Sequence, residues 1–163
     1  MNYFIIIRGP LGVGKSTIAK KLAKILDAEY ISIDKLLEKY GLDKVEGECI
    51  PLINFIKANE QILPLIKEKL AKGKVVIIDG NFYYQEQIKY FIKNLTTDYF
   101  VFTLKASLEV CLKRDSARKT TYGEESVKAV YYLVSIFDYG IIINTENRTI
   151  DEITQEIKSY LLN

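Results

Sequence analysis

Residues 9–17 read Gly9-Pro10-Leu11-Gly12-Val13-Gly14-Lys15-Ser16-Thr17, a glycine-rich stretch from which the local structure can be predicted. Glycine reaches backbone angles that other residues avoid, so several amide N–H groups of such a loop can point at one anion. An apolar run at 3–7 precedes the stretch, and residues 15–26 follow it with apolar positions at helical spacing. A strand, a tight loop and a helix N-terminus are therefore predicted, with a phosphate group at the positive end of that helix.

Each residue type in this GxxxxGKS pattern has a physical role in holding a nucleotide, and we predict ATP with Mg²⁺. Lys15 can reach the β- and γ-phosphates, and the Ser16 hydroxyl can bind Mg²⁺. The alternative is a glycine-rich turn that binds nothing, and the strand before and helix after the loop weigh against it. The predicted nucleotide-binding residues of the loop are Gly9, Leu11, Gly12, Val13, Gly14, Lys15, Ser16 and Thr17.

Outside the loop, strand-like and helix-like segments alternate along the chain. Strands are predicted at 3–7, 30–33, 75–78, 99–104 and 141–143, and helices at 15–26, 55–70, 85–95, 107–118, 125–137 and 150–162. Pro64 predicts a kink or a break in the helix at 55–70. Five strands alternating with helices predict a single α/β domain over residues 1–163, with a parallel sheet and helices on both faces. In such sheets ligands bind at the carboxyl ends of the strands.

Two carboxylates are predicted at that same edge. Asp79 follows four apolar residues, a pattern typical of the aspartate that orients Mg²⁺ in phosphoryl transfer, although a turn or N-cap in Asp79-Gly80-Asn81 is the alternative. Asp34 follows the strand at 30–33, where it could accept the proton of a substrate hydroxyl or simply bind the substrate. Its alternative role is to cap a helix beginning at residue 35.

Arginine is scarce, which makes each position informative. Arg114 and Arg118 are four apart on the helix predicted at 107–118, so they would share a face. A polar stretch follows, and we predict a lid at about 114–124 whose two arginines neutralise phosphate charge during transfer. The alternative is a surface helix with these arginines paired to Glu109 or Asp115.

The other two arginines are less directly tied to chemistry. Arg8 ends the first strand, and we expect a surface or sheet-edge cation there. Arg148 follows the last strand and is a candidate contact to the nucleotide base or ribose. The alternative is that Thr149 caps the last helix while Arg148 stays in water.

Composition excludes several function classes. The chain has no His, which removes Ser-His, Cys-His and His-metal chemistry and leaves a carboxylate as the general base. Cys49 and Cys111 form no CxxC pair and are expected to be reduced thiols. A net charge of +2 gives no strong field toward nucleic acid or membrane. We find neither a signal peptide pattern nor a run of about 20 apolar residues, so a cytoplasmic protein with no membrane contact is expected.

Taken together, these motifs resemble the P-loop kinase family, which includes adenylate, shikimate, gluconate and adenylylsulfate kinases and polynucleotide 5′-kinase. The resemblance implies a three-layer P-loop NTPase fold with sheet order 2-3-1-4-5 and a loop around 144–149 that contacts adenine. It also makes Asp34 the substrate-hydroxyl ligand or base, and Arg114 and Arg118 the lid arginines.

The acceptor side departs from part of that family. Adenylate and shikimate kinases grip anionic acceptors with arginines there, whereas no Arg lies between Arg8 and Arg114. We therefore predict a kinase that transfers the γ-phosphate to a hydroxyl of a small molecule or nucleoside, as a monomer or homodimer. A polynucleotide 5′-hydroxyl kinase and a regulatory ATPase without an acceptor remain alternatives. Phe82-Tyr83-Tyr84 would contact the acceptor or form a packed aromatic cluster.

Overall fold

A computed structural model describes residues 2–162 of the chain. Within that range seven helices and five strands are built around a single parallel sheet. They are β1 (Tyr3–Arg8), α1 (Lys15–Leu26), β2 (Glu29–Ser32), α2 (Ile33–Lys39), α3 (Leu52–Ala71), β3 (Val76–Gly80), α4 (Gln85–Asn94), β4 (Asp98–Lys105), α5 (Leu108–Ser116), α6 (Glu124–Val134), β5 (Ile141–Asn144) and α7 (Ile150–Leu161).

The five strands pair in the order β2-β3-β1-β4-β5, and every pairing is parallel. The α/β prediction and the order implied by the resemblance are both confirmed. β1 occupies the centre, and all six of its residues are buried. A strand covered on both faces needs apolar side chains on both, which explains its continuous apolar run.

Successive side chains of β1 point to opposite faces of the sheet, and each face is covered by helices. Phe4 and Ile6 join a cluster with residues of α2, α3 and α4. Ile5 and Ile7 join a second cluster with residues of α1, α5 and α7. The result is a helix–sheet–helix sandwich whose P-loop leaves the middle strand at the carboxyl edge.

Several element boundaries differ from the sequence prediction, and three of them concern residues named above. β2 ends at Ser32, so Asp34 lies in the first turn of α2 rather than at the end of a strand. α3 continues through Pro64 for 20 residues, so the helix is not broken there. α5 ends at Ser116, which leaves Arg118 on the loop that follows.

Two further features concern the chain as a whole. No helix within residues 2–162 is long and apolar enough to cross a membrane. Cys49 is half-buried, Cys111 is buried, and both thiols are free.

Candidate active site

The phosphate-binding loop between β1 and α1 depends on glycine at defined positions. Gly12 has φ +80°, and a Cβ on it would lie 2.3 Å from the carbonyl oxygen of Cys111 in α5. Gly14 is the N-cap residue of α1, with φ +102° and no side-chain cap. The first amides of α1 therefore lack a side-chain acceptor, which is the arrangement that favours an anion.

Lys15 begins α1 and is buried in the loop. Its Nζ donates a hydrogen bond to the carbonyl of Pro10 at 2.9 Å. Burial lowers the pKa of Lys15, while Asp79 and Asp34 oppose that shift and Arg118 adds to it. Lys15 therefore lies within the electrostatic reach of Asp79, Asp34 and Arg118.

Asp79 lies inside β3, opposite Ile7 of β1 and Ser32 of β2. It is 2% exposed, and its Oδ2 accepts a hydrogen bond from the Tyr30 hydroxyl at 2.7 Å. The alternative role as a turn or N-cap residue is wrong, because β3 continues through Gly80. Ser16 and Asp79 offer a hydroxyl and a carboxylate oxygen, the hard ligands that Mg²⁺ prefers beside substrate phosphates.

Tyr30 is a site residue that the sequence analysis missed. Burial, and then the charge of Asp79, raise its pKa, while the neighbouring hydroxyls of Ser16 and Ser32 lower it. In sequence it is an ordinary strand tyrosine. Only the pairing of β2 with β3, which aligns Ser32 with Asp79, brings the Tyr30 side chain to the carboxylate predicted to bind Mg²⁺.

Asp34 faces the cleft from α2. The cap of this helix is Ser32, whose side chain accepts a hydrogen bond from the amide of Lys35, so the capping alternative for Asp34 is wrong. Burial raises the pKa of Asp34, and Asp79 raises it further, whereas Lys15 and Arg118 lower it. A carboxyl group held between two cations and a second carboxylate is a strong candidate for a functional residue.

A cleft of about 530 Å³ joins these features. It brings together most of the predicted residues, although Gly9 and Asp79 do not form its walls. Its lining comprises Leu11, Gly12, Val13, Gly14, Lys15, Ser16, Thr17, Ile18, Lys20, Asp34, Arg114, Arg118, Tyr122, Thr145, Arg148, Ile150 and Ile153. The volume and the mixture of apolar and cationic walls suit a nucleotide-sized ligand.

Arg114 ties three segments of this cleft together. Its Nη1 donates to the carbonyl of Val13 at 3.1 Å and to the Thr145 hydroxyl at 2.9 Å, and its Nη2 donates to the Thr145 carbonyl at 2.8 Å. Thr145 is itself buried. Arg114 thus fixes the P-loop against the loop after β5, and its guanidinium lines the cleft. The sequence analysis predicted a nucleotide-contacting loop around 144–149, but it did not identify Thr145 as a residue of the site.

Arg118 does not share a helical face with Arg114, because α5 ends before it. It lies on an exposed loop, 4.6 Å from the centre of the Tyr122 ring, with one Nη 3.8 Å from Asp115. The two oxygens of Asp115 accept hydrogen bonds from the amides of Tyr122 and Gly123, each at 3.1 Å. The predicted lid is therefore a loop anchored by one buried carboxylate, and Arg118 reaches the cleft from it.

Arg148 lines the same cleft near α7. It donates to the carbonyl of Asn144 at 2.9 Å and pairs with Glu156. Thr149 caps α7 in a reciprocal capping box with Glu152, so the predicted cap is present. Arg148 is nonetheless held in place by two partners rather than left in water.

The prediction that Arg8 is a surface or sheet-edge cation is wrong. Arg8 is fully buried, because β1 is the central strand and its end is not an edge. Its guanidinium donates to Thr103 and to the carbonyls of Phe82, Val134 and Phe137 at 3.0–3.3 Å. Burial lowers its pKa to about 10, with Asp138 opposing. Arg8 satisfies carbonyls at the end of α6 and so joins the helix after the lid to the base of the P-loop.

The side predicted to face the acceptor contains packed aromatic residues. The Tyr83 hydroxyl accepts from the amide of Ile50 at 3.0 Å, and the Tyr84 hydroxyl donates to the carbonyl of Ile50 at 3.1 Å. The Phe55 ring lies 5.2 Å from that of Tyr83 and 5.8 Å from that of Tyr84. Phe82–Tyr84 is therefore a packed cluster that holds the 46–50 loop.

No buried cation lies on this side in the described chain. The lysines between residues 33 and 60 are all exposed, and they are Lys35, Lys39, Lys44 and Lys57.

Comparison with known proteins places this geometry in a family. Residues 4–130 match the family described as AAA domain. A cytidylate kinase of Sulfurisphaera tokodaii is 30% identical, with 96% of this chain and 94% of that protein aligned. A "probable thymidylate kinase" of Methanocaldococcus jannaschii is also 30% identical, over 99% of this chain and 97% of that protein. A sugar kinase structure from Janibacter sp. HTCC2649 superposes with TM-score 0.82 at 13% identity, over 99% and 95% of the two chains.

Proposed function

The chain belongs to the P-loop kinase family, and we propose that it is an ATP- and Mg²⁺-dependent phosphotransferase whose acceptor is a hydroxyl of a small molecule or nucleoside. Kinase relatives support the phosphotransferase class, and the cleft supports the nucleotide. The assignment of a hydroxyl as the acceptor rests on the residues that face the γ-phosphate end of the loop.

The placement of Asp34 carries this proposal. It lies in the cleft within the electrostatic field of Lys15 and Arg118, the two cations expected at the γ-phosphate. A carboxylate at that point can accept the proton of an acceptor hydroxyl, since the chain has no histidine to do so. A phosphate acceptor would instead bring its own negative charge against Asp34, which is unfavourable unless a cation other than the two expected at the γ-phosphate pairs with it.

The reaction follows from these positions. The acceptor O–H gives its proton to Asp34, its oxygen bonds to the γ-phosphorus, and the bond from that phosphorus to the β–γ bridging oxygen breaks, releasing ADP. Lys15 and Arg118 stabilise the charge on the transferring group, while Arg114 holds Val13 and Thr145 in register. Ser16 and Asp79 would hold Mg²⁺, which neutralises phosphate charge when bound.

A second acceptor class deserves a direct test because of what the relatives are named. Cytidylate and thymidylate kinases are named for acceptors that already carry a phosphate. Against such an acceptor here, the acceptor side offers only exposed lysines in the described residues. In its favour, Arg118 on the lid loop could turn toward an acceptor phosphate.

Transfer of label from [γ-³²P]ATP to a panel of acceptors separates these functions. The panel holds nucleosides, polyols, amino alcohols, nucleoside monophosphates and a 5′-hydroxyl oligonucleotide. We expect labelled product from a neutral hydroxyl compound and none from CMP, AMP or dTMP. Product only from a monophosphate would assign the acceptor as phosphate. Product only from the oligonucleotide would favour a polynucleotide kinase, and ATP hydrolysis without any product would favour the regulatory ATPase.

A further inference from the structure

Tyr30 contacts the metal-binding part of the site without belonging to the P-loop or to the carboxylate motif. Its hydroxyl donates to Asp79 Oδ2 at 2.7 Å, and it lies beside the hydroxyls of Ser16 and Ser32. One side chain on the edge strand β2 therefore adjoins both residues proposed to hold Mg²⁺.

The hydrogen bond from Tyr30 restricts the orientation of the Asp79 carboxylate. Within residues 2–162 no ion pair joins Asp79 to Lys15, whose Nζ bonds the Pro10 carbonyl instead. Tyr30 occupies Oδ2, and no donor among the described residues occupies Oδ1. The carboxylate is thus held through Oδ2 by Tyr30, which leaves Oδ1 available to a cation or its water.

We infer that Tyr30 is a positioning residue for Mg²⁺: its hydroxyl holds Asp79 in the orientation that binds the metal. The inference rests on the proposed Mg²⁺–nucleotide site. Hydrogen bonds from outer residues to a metal-binding carboxylate set its direction, and removing them lowers metal affinity by about 10- to 100-fold.

The aromatic ring of Tyr30 contributes to core packing rather than to the contact with Asp79. It packs against the core cluster that contains Ile77 and Leu22, and Lys20 Nζ lies 5.8 Å from the ring centre. Replacing Tyr30 with Phe keeps this packing and removes only the hydroxyl. Tyr131→Phe is the matched control, since among residues 2–162 its hydroxyl makes one hydrogen bond, to the carbonyl of Ala106 at 3.2 Å.

Calorimetric titration of ADP, first in EDTA and then over a series of MgCl₂ concentrations, tests the inference. For Tyr30→Phe we expect the half-saturating Mg²⁺ concentration to rise about tenfold. ADP affinity in EDTA should stay within about twofold of wild type, because the P-loop amides are untouched. Tyr131→Phe should change neither quantity.

Asp79→Asn approaches the same hydrogen bond from its other partner. In that background Tyr30→Phe should cause no further loss of Mg²⁺ affinity, because the two groups act through one interaction. Additive losses would overturn the inference.

The remaining outcomes are also decisive. An unchanged Mg²⁺ midpoint in Tyr30→Phe would overturn the positioning role while leaving the proposed function intact. Equal losses of ADP affinity with and without metal would assign the hydroxyl to general support of the loop and overturn it too. If wild type bound ADP equally with and without Mg²⁺, the proposed metal site would fail together with this inference.

Discussion

The contact between the P-loop and α5 gives a prediction whose size follows from the geometry. An alanine at Gly12 would place its Cβ 2.3 Å from the Cys111 carbonyl oxygen, whereas ordinary contacts begin at 3.4 Å. The carbonyl belongs to helix backbone and cannot rotate away, so the loop must shift by about 1 Å, which is the difference of those distances. Overpacking of this kind costs about 1–3 kcal/mol.

Backbone strain adds to that clash, because Gly12 has φ +80°. An L-residue in the left-handed region costs about 1–2 kcal/mol. Gly12→Ala should therefore lower the free energy of unfolding by about 2–5 kcal/mol.

Gly73→Ala isolates the strain, since Gly73 has φ +77° and a Cβ there would meet nothing within 4 Å. Gly73→Ala should therefore lower the free energy of unfolding by only about 1–2 kcal/mol, the cost of the left-handed backbone conformation. Urea unfolding of both variants measures the difference.

Thermal melts give a second reading of the same pair. A domain of this size loses about 2–4 °C in Tm per kcal/mol, so Gly12→Ala should melt roughly 2–12 °C below Gly73→Ala. A loop displaced by about 1 Å should also lower turnover by about 100-fold, while Gly73→Ala leaves turnover unchanged. Equal unfolding free energies for the two variants, or full activity in Gly12→Ala, would refute the tight contact between the P-loop and α5.

Four further predictions concern charged side chains in or beside the cleft. Lys15→Ala should weaken ATP binding by roughly 10- to 100-fold, the value of one charged hydrogen bond, as measured by calorimetry; unchanged affinity would remove Lys15 from the phosphate site. Asp115→Asn leaves one of the Tyr122 and Gly123 amides without its acceptor, so hydrogen exchange at 122–123 should quicken at least about tenfold, whereas the exposed control Glu109→Gln should not change it. Burial raises the pKa of Asp34, so kcat/KM should fall as pH drops through a value above that of an ordinary aspartate. The same raised pKa makes the fold less stable as pH rises, so Asp34→Asn should melt higher than wild type at neutral pH, and an unchanged Tm there would contradict it.

Local patterns predicted the parts of the site that are contiguous in sequence. The P-loop needs only its own nine residues, a strand before it and a helix after it, and all three are where the pattern placed them. Alternation of apolar segments likewise predicted the α/β sheet. Asp34 and Asp79 were found because each follows an apolar run that ends at the carboxyl edge.

Long-range packing explains what the patterns missed. Arg8 looks like an edge cation until β1 is known to be central, and its four acceptors come from three distant segments. Tyr30 and Thr145 gain their roles from strand pairing and from Arg114, neither of which local spacing encodes. Arg118 lies outside the predicted helix because α5 ends at Ser116. The end of a helix depends on tertiary contacts, here the hydrogen bonds that the Asp115 carboxylate accepts from the following loop.

The surroundings of Asp34 also suggest a trade between stability and activity. A partly buried carboxyl group near Asp79 is unfavourable for folding, and Lys15 and Arg118 offset this only in part. Such strain is typical of groups retained for chemistry rather than for packing.

Asp34 is proposed to act as the base toward an acceptor hydroxyl, and single-turnover transfer measures this role. Wild type and Asp34→Asn are each mixed with less than one equivalent of [γ-³²P]ATP, Mg²⁺ and the acceptor found in the panel, and product is followed over time. We predict that Asp34→Asn slows transfer by about 10²–10⁴-fold, the usual contribution of a general base, while its ATP affinity matches wild type. Transfer at the wild-type rate by Asp34→Asn would contradict the account.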